Sequence, residues 1–139
     1  MRRLIIAVTT MAVVATGCAS SVARMKDATA ELQYRDYAGD PIERFTAFDI
    51  DSWTPVARNQ LVVWTGINDA YLLTVWDNCR DLQFADRIAV TKTGNTISRF
   101  ESVRINGDRC PIRDIRAVDM KRMKTDRAAL RATSQSKPQ

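Results

Sequence analysis

No histidine occurs anywhere in the 139 residues. Its absence removes Ser-His-Asp and Cys-His nucleophilic sites, imidazole general bases, and most zinc, copper and haem ligation patterns. Carboxylate, lysine, tyrosine and serine chemistry are what remain, and neither a metal site nor a cofactor is expected. Long apolar runs are missing too. The stretch at residues 4–15 has twelve residues, short of the roughly 20 that a membrane-spanning helix takes. Cysteine is scarce: there are three, and an odd number leaves one thiol without an intramolecular partner. No internal repeat is present.

What is there begins with Arg2 and Arg3, an apolar stretch, and small residues before Cys18. Positive, then apolar, then small is the layout of a secretory signal peptide, here residues 1–17. Ala15, Thr16, Gly17 and Cys18 resemble the lipobox of bacterial lipoproteins, although Ala15 stands where leucine is usual. The resemblance implies cleavage before Cys18, diacylglycerol on its thiol and acylation of the new amine. The alternative is ordinary cleavage nearby, with Cys18 removed or left as a free thiol. If Cys18 carries lipid, Cys79 and Cys110 remain as an even pair in an oxidising compartment. Several acyl chains on one residue would anchor the chain firmly, at about 0.8 kcal/mol per buried methylene. Ala19 directly after the cysteine implies passage to the outer membrane, facing the periplasm.

Cleavage there leaves one domain of ordinary size. The formal charge of +5 is unevenly spread. Lys121, Arg122, Lys124, Arg127, Arg131 and Lys137 crowd residues 120–139 against a single acid, Asp126. Such an end can meet anionic headgroups or an acidic envelope protein, or simply be a solvated tail. Nucleic acid is not an expected partner of an exported chain.

Spacing of Val22, Met25, Thr29 and Leu32, ended by Gly39 and Pro41, predicts a helix over about 22–37 within a lipid-anchored segment, 18–40. From 41 to 119 the period becomes two and the residues β-branched and aromatic. "RFTAFDIDSW" reads as a first strand, with Thr46, Phe48, Ile50 and Ser52 on its buried face. "NQLVVWTG" and "AYLLTVWD" are apolar on both faces and should be central strands. A four-residue "GIND" loop between them would set Trp64 opposite Tyr71. "CRDLQFAD" breaks the alternation into a turn or one short helix. "RIAVTKTGNTISRF" predicts a hairpin with a three-residue loop at 93–95 that places Ile88 opposite Phe100. "NGD" turns the chain again, and "RCPIRDIRAV" is a last strand with Ile112 and Ile115 inward. Asp119 caps a basic helix, and the tail "TSQSKPQ" is expected to be disordered. The fold class is mainly β (α+β): a small antiparallel β-barrel or rolled sheet of about six strands, with an N-terminal and a C-terminal helix.

Three constellations are candidates for chemistry. Cys79 and Cys110 each sit beside a turn and read as a structural disulfide, the alternative being free or redox-active thiols. Asp49 and Asp51 share a strand face, and Asp77 lies near Cys79. Paired carboxylates can do acid/base work on sugars, yet an Asp-x-Asp on an edge strand is commonly a solvated face that discourages strand addition. Trp53 and Trp76 lie at strand ends where an indole could stack on a ligand, while Trp64 reads as core; core packing is the favoured reading for all three and ligand stacking the alternative. Asp49, Asp51, Asp77, Trp53 and Trp76 are therefore the candidate ligand-binding residues.

The lipobox, "YAGDPI", "IDSW", "LVVWTG", "AYLLTV", the "NC" before Leu82, and the Cys-x-Ile-x-x-Ile at 110–115 together resemble an uncharacterised gram-negative lipoprotein family with a domain of unknown function. That resemblance implies the lipid anchor and the cysteine pair, and supplies no activity. The expectation is a non-enzymatic binding or assembly module of the cell envelope, attached to the membrane through Cys18, with an envelope protein as partner. The alternative is a carboxylate-based enzyme or glycan-binding domain.

Overall fold

The computed structural model describes residues 34–77, 79 and 81–135. The strands are β1 (Ala38–Pro41), β2 (Arg44–Thr46), β3 (Ser52–Ala57), β4 (Gln60–Trp64), β5 (Asp69–Val75), β6 (Ile88–Val90), β7 (Thr96–Ser98), β8 (Ser102–Ile105) and β9 (Asp108–Asp119), followed by helix α1 (Met120–Gln135). Six strands make a curled antiparallel half-barrel in the order β3-β4-β5-β9-β8-β6. The twelve-residue β9 is its spine. One side of β9 pairs with β5; the other takes β8 along its first residues and β1 along its last.

Alternation along β4 and β5 builds two cores. Leu61, Val63, Leu73 and Val75 face the concave interior with Val103, Ile105, Ile112 and Ile115. Val62, Ala70 and Leu72 face the other way, where Met120 and Met123 of α1 cover them beside Tyr34, Tyr37 and Trp64. Leu61, Leu73 and Ile115 are wholly buried, each worth roughly 1.5–3 kcal/mol relative to exposure. Ile112 and Ile115 share the inner face despite their odd spacing. A register shift in the β5–β9 ladder, where Thr74 opposes Asp114 but Val75 opposes Ile112, absorbs the extra residue as a bulge.

Cys79 and Cys110 form a disulfide, with Cα atoms 5.7 Å apart. It ties the connection after β5 to the start of β9. Within that connection a single 3-10 turn, Leu82–Phe84, buries Leu82 completely. Asp119 caps α1 as expected, its Oδ1 accepting from the Arg122 N–H at 3.0 Å. Three of the cations of α1 reach back onto the domain surface. The Arg122 and Arg127 guanidinium groups lie over Tyr37 and Tyr34, and Lys124 Nζ donates to the Ile67 carbonyl and to Asn68. The helix runs on to Gln135, through the start of the expected disordered tail.

Several expectations are corrected. The predicted first strand breaks at 47–51, and its buried residues are Phe45 and Ala47, on the face assigned to solvent; Phe48 is 72% exposed. Phe45 turns inward because its ring stacks on Tyr71, centroids 3.9 Å apart. In the β4–β5 hairpin the pairing is shifted by one residue, Trp64 meeting Ala70 and Val63 meeting Tyr71, because Thr65 donates to the Asp69 carbonyl and closes the loop one residue earlier. The β6–β7 hairpin does not form as a ladder. The chain turns tightly at Gly94-Asn95, with Gly94 at φ +61° and Thr93 bridging Thr96, and β7 then leaves to pair with β2. β6 pairs instead with β8, Ile88 opposite Ile105, and Phe100 is left 80% exposed. Of the predicted N-terminal helix, only residues 34–37 are described, and they form a bend and turn. Cys18 and the signal segment lie outside the described residues.

Candidate functional site at the open seam

Because the half-barrel does not close, its terminal strands β3 and β6 each keep one edge that is unpaired among the described residues. Between them lies a cavity of about 280 Å³. Asp49, Ile50 and Trp53 form one wall as the chain enters β3, and Ile88, Ala89 and Val90 form the other. Ala47 and Ile97, from the β2–β7 ribbon, make the base, and Lys92 stands at the mouth. Ala47 is fixed there by its N–H bond to the Asn95 carbonyl at 2.8 Å.

Side chains alternate along a strand, yet three consecutive residues of β6 touch this cavity. The strand therefore presents its backbone edge, not only one face. The polar groups are set by the two connectors. Lys92 Nζ donates to the Phe48 carbonyl, linking the segment after β6 to the one before β3. Beneath Lys92, Glu101 accepts from the hydroxyls of Thr91 and Thr93, the latter at 2.8 Å. Those hydroxyl bonds, Thr91 first, hold the Glu101 carboxyl below its ordinary pKa. Tyr71, under Phe45, has its phenol pKa raised by burial and then by the nearby Asp69.

The candidate residues separate into groups. Asp49 and Trp53 come together in the seam, a carboxylate and a half-buried indole in one concavity. Asp51 is exposed, and its N–H donates to the Trp64 carbonyl at 2.8 Å. Asp77 lies at the far end of β5, accepting from Asn59 Nδ2 at 2.8 Å, beside a half-exposed Trp76 that sits under the Arg113 guanidinium. Among the described residues no group of three His, Cys, Asp or Glu could hold a metal ion. Sequence reasoning missed Ile88, Val90 and Lys92, since which edge of a strand stays open is a property of topology. One local signal was present: Arg87 and Lys92 bracket a short aliphatic strand, a common guard of sheet edges.

Fold and seam together define a small disulfide-closed β half-barrel domain with an open, amphiphilic groove. The chain belongs to the family of unknown function DUF6491, whose profile matches residues 1–134. No curated protein and no solved structure matches it.

Proposed function

We propose that this chain is a non-enzymatic binding or assembly module of the cell envelope, exported by residues 1–17 and held by lipid on Cys18 at the periplasmic face of the outer membrane. The seam carries the binding part of this reading: an apolar cavity opened by Trp53, Ile50, Ile88 and Val90, with Phe48 exposed beside its mouth and Asp49 and Lys92 at its rim. The lipobox resemblance supports the anchor, and the Cys79–Cys110 bond accords with an oxidising compartment. Benzoylphenylalanine at position 48, irradiated in intact cells, should yield one stoichiometric adduct that Trp53→Ala abolishes. The same probe at position 130, exposed on α1 against the opposite core, should yield none. Equal adducts from both positions, or none from position 48, would defeat the binding reading, and intact mass lacking fatty-acyl chains would defeat the anchor.

A second reading rests on the meeting of Asp49 with Trp53, which suits a sugar ring stacked on the indole with a hydroxyl on the carboxylate. Among the described residues one carboxylate lines the cavity, whereas glycoside hydrolysis usually takes a pair, so this reading favours glycan binding over turnover. Envelope oligosaccharides that quench tryptophan fluorescence in the wild type and not in Asp49→Asn would support it.

A further inference from the structure

The open edge of β6 has a definite hydrogen-bond phase. Thr91 donates its N–H to the Ser102 carbonyl at 2.9 Å, and the β6–β8 register continues through Val90–Val103, Ala89–Arg104 and Ile88–Ile105. Hydrogen-bonded pairs in an antiparallel ladder recur at every second residue. Ala89 therefore bonds β8, while the N–H and C=O groups of Ile88 and Val90 point into the seam. No described strand pairs with them. An apolar small molecule would fill the cavity and leave those groups without partners. An extended polypeptide would satisfy them and place alternate side chains in the cavity. The cavity also lies just below the ~300–1,000 Å³ typical of ligand pockets, a size suited to a few side chains.

Charge at the two ends of the edge sets direction. Asp86 and Lys92, both exposed, stand two residues outside Ile88 and Val90. We propose that the seam accepts one extended segment of another protein as an added antiparallel strand on β6, with the pattern acid-x-aliphatic-x-aliphatic-x-base, its acid opposite Lys92 and its base opposite Asp86. This rests on the binding-module reading and names the partner chemistry. The two aliphatic residues face Ile88 and Val90 and exchange backbone bonds with them. Asp49 on the other wall offsets part of the Lys92 charge, so the end charges contribute register more than affinity. Residues 86–92 of a second copy satisfy the same pattern, but that strand already carries β8 on its other edge, so a second copy would have to bring two strands into the seam instead of one. A lone segment has no such neighbour.

The test uses the full chain and the peptide acetyl-Glu-Thr-Val-Thr-Val-Thr-Lys-amide. Binding should slow amide exchange at Ile88 and Val90 at least tenfold, and N-methylation of both valines should weaken affinity at least tenfold. The Asp86→Lys, Lys92→Glu double variant should come to prefer the peptide with its end charges exchanged. Equal affinity for the N-methylated peptide would overturn strand addition while leaving the binding-module reading standing. Protection that grows with protein concentration in the absence of peptide would name a second copy as occupant and overturn the proposal. Unchanged exchange at millimolar peptide would overturn it too, with the crosslinking at position 48 deciding separately whether the seam binds anything.

Discussion

Removing the disulfide with Cys79→Ala and Cys110→Ala should cost most of what closing its loop contributes. The two cysteines are 31 residues apart in sequence, and the chain-entropy relation for a loop of that length gives about 3.7 kcal/mol at 25 °C. Both sulfurs are buried, Cys110 almost completely, so two small cavities add to the loss. With a urea m-value of about 1.5 kcal/mol/M for a domain of this size, the unfolding midpoint should fall by roughly 2.5 M. The m-value itself should rise slightly, because the uncrosslinked denatured chain expands. Urea titration followed by tryptophan fluorescence, run beside wild type reduced with dithiothreitol, measures both. A midpoint shift below about 0.5 M would refute the reasoning, since it would mean the loop is already confined in the denatured chain.

Leu82→Ala should destabilise by about 2–5 kcal/mol in the same assay, because its side chain is wholly buried although it sits on a single 3-10 turn. Asp119→Ala should cost about 1 kcal/mol and reduce helical circular dichroism, through loss of the cap to the Arg122 N–H. Glu101→Gln should give a pH-dependent deficit. The folded-state pKa of Glu101 is depressed by the Thr91 and Thr93 hydroxyls, so its contribution is complete above the ordinary glutamate pKa and vanishes as pH falls through the lowered value. Melting temperatures of variant and wild type should differ at pH 7 and converge as the pH falls through that lowered value; a constant gap would contradict the assignment. Tyr37 has the opposite sign, its pKa raised chiefly by the 2.6 Å bond to Asp126. Its contribution is present below the ordinary tyrosine pKa and lost at higher pH, as that phenol deprotonates, and Tyr37→Phe should flatten that alkaline limb of the stability curve.

What could be read in the residues was local. Two-sided apolar runs announced β4 and β5, Asp119 announced the cap, and the break at "CRDLQFAD" announced the 3-10 turn. Which strand meets which was not local. The tight turn at Gly94-Asn95 argues for β6 on β7, but β7 is drawn to β2 by the burial of Ile97 beside Phe45. That exchange leaves the seam open. The site was half legible for the same reason. Asp49 and Trp53 stand out as a carboxylate and an indole at a strand end, whereas Ile88 and Val90 look like ordinary core residues until the unpaired side of β6 is known.

The position of β9 has a consequence for the order in which the molecule can be made. Ala38 pairs with Val118, so the earliest described strand has no partner until nearly all of the polypeptide has been synthesised. The β4–β5 hairpin can form as soon as it emerges, but β5, β8 and β1 find their shared neighbour only with residues 108–119. Such a chain keeps most of its sheet unassembled until its last strand is available, and gathers β1, β5 and β8 around that strand in one late step.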